Sequence, residues 1–164
     1  MNKPVASIRD LSSRKATTAA LARGISLMLH AHGFATLVEV PLSNGRRADL
    51  LALNPRGEIW IVETKSGVAD FAADAKWPDY RPYCDALFFG VAENFPLAML
   101  PEDCGLIVAD SFGGEIIRQA PVLPLHTSRR KALTLGFGRL AALRLARRDV
   151  VTTTTSDSVY EDPL

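Results

Sequence analysis

The chain has 164 residues, 48% of them hydrophobic and 23% charged, with a formal net charge of +1. That length fits one domain with a real core, and a balance so close to neutral selects by itself neither a nucleic acid nor a membrane surface. No apolar run approaches the ~20 residues of a membrane span. The start, Met1-Asn2-Lys3-Pro4, lacks the basic-then-apolar layout of a signal peptide. The two cysteines, Cys84 and Cys104, make neither a disulfide framework nor a zinc site. These features together read as a cytoplasmic protein with no membrane partner.

Residues 1–14 are mixed and read as extended chain. Residues 15–32 read as a helix, with Ala19, Leu21, Ile25, Leu27, Met28 and Leu29 apolar and Gly33 as the stop. His30 and His32 suit its end, where the dipole favours cations. Phe34 to Leu42 is a strand, and Ser43-Asn44-Gly45 is a turn with two registers. As a two-residue Asn-Gly turn it pairs Ser43 with Arg46; as a loop closed by Gly45 it pairs Leu42 with Arg46 and sets Glu39 opposite Asp49. Residues 46–54 and 58–65 are the next two strands. Residues 67–84 read as a helix interrupted at Pro78 and Pro82, with Ser66 as its N-cap. Ala86 to Ala92, Gly105 to Asp110 and Glu115 to Gln119 are further strands. Thr127 or Ser128 opens a last helix to about Arg148, and residues 151–164 read as a flexible acidic tail after a single domain over 1–150. A helical crossover after the third strand brings the next strand in parallel. The expected fold is α/β, a mixed sheet with helices on both faces.

The turn Asn54-Pro55-Arg56-Gly57 allows the geometry of the central hairpin to be worked out. Proline sets φ for the first turn position, and Gly57 closes a three-residue loop with φ > 0. Counting back from the Asn54–Glu58 pair, Leu53 faces Ile59, Leu51 faces Ile61, and Asp49 faces Glu63. Directly opposed side chains start ~5 Å apart, so two bare carboxylates there need a counter-charge. A divalent cation such as Mg²⁺, which prefers hard oxygen ligands, supplies one. Alternation puts Lys65 on the face of Glu63 and Thr64 on the other, leaving the Thr64 carbonyl free to turn toward the cation. The competing reading is a surface ion pair. It fits poorly, because Leu50, Ala52, Trp60 and Val62 line one face of the hairpin and Leu51, Leu53, Ile59 and Ile61 the other. Such a strand is buried on both sides.

The order of elements, with Asp49, Glu63 and Lys65, resembles the PD-(D/E)XK nuclease superfamily over residues 15–110. A longer pattern is more specific: Glu39-Val40-Pro41-Leu42-x-Asn44-Gly45-Arg46-Arg47-Ala48-Asp49, Ile59-Trp60-Ile61-Val62-Glu63-x-Lys65-Ser66, Asp74-x-Lys76-Trp77-Pro78-x-Tyr80 and Tyr83-Cys84-Asp85. It resembles the MmcB family of bacterial proteins, linked to DNA repair and mitomycin C resistance. The resemblance implies a restriction-endonuclease-like core (αβββαβ) and Mg²⁺- or Mn²⁺-dependent hydrolysis of DNA phosphodiester bonds. Asp49, Glu63 and Lys65 are then catalytic. Asp49, Glu63 and the Thr64 carbonyl are the metal ligands, joined by Glu39 in the second register. One departure is that residues 15–32 lack the first-helix glutamate that many relatives use for metal.

DNA contacts are expected from Arg46 and Arg47 beside Asp49, from Lys76 and Arg81, and from Arg129, Arg130 and Lys131 in a stretch, 118–148, that is basic and free of acids. That stretch reads equally well as a solvated amphipathic helix. Trp77, Tyr80 and Tyr83 at helical spacing read as core, Cys84 as a small buried hydrophobe, Asp74 as at most an outer partner of the site, and His126 as a cap or surface residue. Two rivals stand beside the nuclease: a DNA-binding module of the same fold without turnover, serving a repair complex, and a protein–protein adaptor. A homodimer is compatible with each.

Overall fold

A hairpin apolar on both faces must be covered on both sides. The computed structural model, which describes residues 8–156, covers it in that way. Six strands form one sheet in the order β1-β2-β3-β4-β5-β6: β1 (Ala35–Pro41), β2 (Arg47–Leu53), β3 (Ile59–Lys65), β4 (Ala86–Val91), β5 (Gly105–Ala109) and β6 (Gly114–Arg118). β1, β2 and β3 are antiparallel, β3, β4 and β5 parallel, and β6 returns antiparallel to β5.

Against one face lies α1 (Ile8–Ala31), whose Leu21, Ile25 and Leu29 pack with Leu50, Val62, Phe88 and Ile107. On the other face Leu51, Ile59, Ile61 and Phe89 meet Tyr80 and Tyr83, with Trp77, Leu133, Phe137 and Leu140 half-buried beside them. These come from a 3-10 segment (Trp77–Tyr83) and from α3 (Thr127–Ser156); the short α2 (Val68–Ala73) adds Phe71, edge-on to Phe89 at 5.6 Å. The fold is thus the expected α/β type, a mixed sheet flanked by helices and consistent with a restriction-endonuclease-like core.

Both turns follow their residue chemistry. Gly57 has φ +81°, and Asn54 Oδ1 accepts the N–H groups of Arg56 and Glu58 at 3.0 Å each. Gly45 has φ +78°, and the Leu42 N–H donates to the Arg46 carbonyl at 2.8 Å. The second of the two registers is therefore the one adopted. β1 then runs opposite β2 with Val38 across from Leu50 and Val40 across from Ala48, which brackets Glu39 and Asp49.

Four expectations are corrected. Helix α1 begins at Ile8, so 8–14 are helical and not extended; no proline or glycine lies between Pro4 and Gly24 to stop it. Helix α3 runs on through 151–156, where a flexible tail was expected, because no glycine or proline breaks it there. The expectations for 1–7 and 157–164 lie outside the described residues. The helix over 67–84 is two pieces, since α2 ends at Ala73 and Pro78 and Pro82 leave only 3-10 geometry after it. Ser66 is not the N-cap, which is Gly67; instead Asp70 reaches back and accepts both the N–H and the hydroxyl of Ser66, at 3.0 and 3.1 Å.

Candidate active site

The β2–β3 ladder extends from Leu53–Ile59 to Leu50–Val62 and ends there. The next step in that register is Asp49 and Glu63, where side chains take over from the backbone. The Asp49 N–H donates to Glu63 Oε1 at 3.2 Å. Asp49 Oδ2 accepts the Thr64 N–H at 2.9 Å and the Thr64 hydroxyl at 2.8 Å. Four polar or charged residues are buried among the described ones, and three of them are consecutive here: Glu63, Thr64 and Lys65. Chance burial would scatter such residues, because each charge costs free energy to desolvate.

Lys65 Nζ donates to Asp74 Oδ2 and stands 3.9 Å from Glu63 Oε2. Burial, then the negative charge of Asp49, push the Glu63 carboxyl up to about 8; Lys65 and the Asp49 N–H offset only part of this. Asp74 behaves oppositely. Burial raises it, but the Lys65 hydrogen bond, the Lys76 N–H and both ammonium charges outweigh burial and hold it below the usual carboxylate range. Burial, followed by the charges of Glu63 and Asp49, raises the Tyr80 phenol, which stays protonated and donates to the Arg47 carbonyl at 3.1 Å.

The donor set fits a divalent cation in its chemistry. Among the described residues Asp49 Oδ1 and Glu63 Oε2 accept no hydrogen bond, and both are hard oxygens on adjacent strands. Burial first and the Asp49 charge second raise the Glu63 carboxyl, and a bound cation would oppose both. The set is small, however: no group of three or more His, Cys, Asp or Glu able to hold a metal occurs among the described residues. Glu39 stands beside Asp49 in register, but its left-handed backbone (φ 49°) accompanies a carboxylate turned onto Arg47 at 3.3 Å. Thr64 meets Asp49 through its N–H and hydroxyl. Helix α1, being longer than expected, carries one acid, Asp10, upstream of residue 15.

Asp49 opens onto a cleft of about 630 Å³ between α1 and the β1–β2 edge, whose lining also includes Glu39, Arg47, Ser66 and Asp70. Glu63 and Lys65 are buried and do not belong to that lining. The other candidate residues divide by what already holds them. Arg46 donates twice to Asp79 Oδ2, at 2.9 and 2.7 Å. Arg81 reaches the Asp103 carboxylate and carbonyl and lies over the Trp77 ring at 5.3 Å. Arg129 donates to the Pro82 carbonyl and lies over Tyr83 at 4.9 Å. Arg130 is an internal brace: its two amino groups grip Asp85 at 2.7 and 2.6 Å, and one also reaches the Gly57 carbonyl. Lys76 and Lys131 are exposed.

Trp77, Tyr80 and Tyr83 are core, as their spacing suggests. Cys84 is a buried small hydrophobe, its thiol pushed up to about 12 chiefly by burial. His126 bonds the Ser128 hydroxyl at the start of α3. Sequence reasoning missed Asp85 as a hub, Lys15 and Arg23 on the cleft wall, and Arg144, which crosses from α3 to the Val38 and Glu39 carbonyls at 2.6 and 3.1 Å. Asp85 and Arg144 join elements distant in sequence and leave no local signal.

No helix among the described residues is long and apolar enough to cross a membrane. A comparison with curated proteins finds no match. Among solved structures, the chain is similar to the SPO1766 protein of unknown function from Silicibacter pomeroyi, at 47% identity and a TM-score of 0.75, over 79% of this chain and 89% of that one. The family model for DNA repair proteins of the MmcB-like type matches residues 3–152. With nearly its whole length matched, the chain belongs to the MmcB-like DNA repair protein family.

Proposed function

We propose that the protein is a metal-dependent deoxyribonuclease acting in DNA repair. The observation that carries this reading is the buried Glu63 carboxylate, raised to about 8, between Asp49 and Lys65 at the point where the β2–β3 ladder ends. Perturbed carboxylates of this kind cluster at working sites. Asp49 and Glu63 would hold Mg²⁺ or Mn²⁺, which supplies Lewis acidity and an activated water when bound.

The chain's own groups do the rest. Thr64 fixes one Asp49 oxygen through two hydrogen bonds, and the Asp49 N–H fixes one Glu63 oxygen, so both carboxylates are preorganised. Lys65 offers an ammonium held by Asp74, suited to offset charge that develops on a phosphate oxygen.

The test is cleavage of labelled single-stranded, duplex, flap and four-way-junction DNA with Mg²⁺ or Mn²⁺. Wild type is run beside Glu63→Gln and Lys65→Met. Cleavage by wild type with a loss of about 10²-fold or more in each variant is expected. Equal cleavage by all three proteins would discard the site.

A second reading, a DNA-binding module without turnover, is favoured by the absence of a third metal-holding group among the described residues and by the tie of Lys65 to Asp74. It predicts DNA retention with no cleavage, unchanged in Glu63→Gln.

A further inference from the structure

The wall of the cleft opposite Asp49 belongs to α1, where Ala19 and Ala22 lie among two hydroxyls and the only charges in the described lining are cations. Lys15 and Arg23 project from α1, and Arg47 from β2 across the gap, all three exposed. Between them stand hydroxyls: Thr18 and Ser26 on α1, Ser66 after β3. Guanidinium, ammonium and hydroxyl groups contact phosphate and sugar oxygens. Among the described residues no aromatic ring and no Asn or Gln amide lines the cleft, so the groups that stack on bases or read their edges are missing from that described lining.

Three acids, Glu39, Asp49 and Asp70, line the cleft beside the three cations, and all of them stand on the sheet side, away from Lys15 and Arg23 on α1. Asp70 turns one oxygen onto the N–H and hydroxyl of Ser66 and keeps its charge. Glu39 is paired with Arg47, and both side chains are 63% exposed. So exposed a pair is weak, and Arg47 exchanges Glu39 for a phosphate at little cost. A volume of about 630 Å³ is of the size that takes a drug-sized ligand. It seats a short stretch of one strand and not a double helix.

We infer that this cleft is a sequence-independent binding groove for a single DNA strand, in which Lys15, Arg23 and Arg47 hold the phosphates and carry the strand to Asp49. The inference rests on the DNA-repair reading above and deepens it by naming the substrate class. It does not need turnover.

The experiment measures binding of a short fluorescein-labelled oligothymidine, a mixed-sequence single strand and a duplex of equal length by anisotropy, across a salt series. It uses wild type in EDTA and a Lys65→Met background in Mg²⁺. The variants are Lys15→Glu/Arg23→Glu, Arg47→Glu, and as a control Arg56→Glu at the exposed β2–β3 turn, with melting curves confirming that each is folded.

The expected result is equal binding of the two single strands and weaker binding of duplex. The double variant should lose about tenfold in single-strand affinity or more, with the salt slope reduced by about 0.7 for each phosphate that the protein no longer neutralises. Arg56→Glu should bind as wild type. Unchanged binding by the double variant, an equal loss in Arg56→Glu, a preference for duplex, or a strong preference for one single-strand sequence would each overturn the groove. Binding as expected with no cleavage of any DNA keeps the groove and removes the nuclease reading. No binding of any DNA removes both.

Discussion

Two carboxylates are buried to nearly the same degree, Glu63 at 3% and Asp85 at 4% exposure, and the chain treats them in opposite ways. Asp85, next to the start of β4, is saturated. It accepts the Ile59 N–H at 2.8 Å, the Leu125 N–H at 2.9 Å and the forked guanidinium of Arg130. Burial pushes it up, but the Arg130 and backbone hydrogen bonds outweigh burial and hold it below the usual carboxylate range. Glu63, at the other end of the neighbouring strand, has one backbone N–H and a lysine ammonium at 3.9 Å, and it is driven up to about 8. The first is an anchor that joins β3, β4 and the start of α3. The second costs stability, and a fold tolerates such a cost where a ligand or reaction repays it.

The largest effect should come from breaking the anchor. Arg130→Met leaves Asp85 buried and charged without its partner. Removing one member of a buried pair costs about 3–5 kcal/mol; because the Arg130 side chain is 30% exposed, the loss should lie near about 3 kcal/mol. A fall in melting temperature of roughly 10 °C follows for a chain of this size. Differential scanning calorimetry checks it. Adding Asp85→Asn to Arg130→Met should recover part of the loss, since the buried charge is then gone. A double variant no better than the single one would mean that the guanidinium's other bond, to the Gly57 carbonyl, carries the effect.

The same comparison has a sign in pH. Asp85 is depressed, so its contribution is present above the ordinary carboxylate range and is lost as pH falls through the folded value. Glu63 is raised. Between its ordinary 4.5 and about 8 the native protein keeps a proton that the unfolded chain has released, so stability falls as pH rises across that window. At about 1.36 kcal/mol per unit, the fall from about pH 5 to about pH 8 is roughly 3 kcal/mol. Glu63→Gln should flatten this alkaline limb in urea titrations while leaving the acid limb, to which Asp85 and Asp74 both contribute. Mg²⁺ at a few times its dissociation constant should also shrink the alkaline fall in wild type, because a bound cation favours the carboxylate, and should do nothing in Glu63→Gln. An alkaline limb that Glu63→Gln leaves unchanged would show that another group titrates there.

What could be read from residues alone, and what could not, divides along the same line. The register from Leu53–Ile59 to Leu50–Val62, which leaves Asp49 and Glu63 at its end, follows from Pro55 and Gly57, because a short loop with defined backbone geometry fixes register over a whole hairpin. The two apolar faces of that hairpin follow from alternation and are found as expected, one under α1 and one under the Tyr80–Tyr83 segment. Partners far apart in sequence were not legible. Asp85 and Arg130 are separated by 45 positions and Arg144 and Val38 by 106, and nothing local marks either. Glu39 is the intermediate case: turn chemistry offered the register that sets it beside Asp49, but its positive φ and its bond to Arg47 depend on the surrounding fold.

The smallest effect should come from Arg46, next to Arg47 in sequence and different in circumstance. Arg46 makes two short hydrogen bonds to Asp79, which on geometry alone would rank it with the Arg130–Asp85 brace. Exposure decides otherwise: the two side chains are 35% and 47% exposed, against 5% for Asp85. Water screens the pair, and the ordering of two flexible side chains offsets much of what remains. Arg46→Ala should therefore cost no more than about 1 kcal/mol in urea unfolding. It should also reduce single-strand binding less than Arg47→Glu, because Arg46 does not line the cleft. A stability loss as large as that of Arg130→Met would mean that hydrogen-bond geometry outranks burial in this protein. The contrast between the saturated and the strained carboxylate would then have to be argued from hydrogen bonds alone.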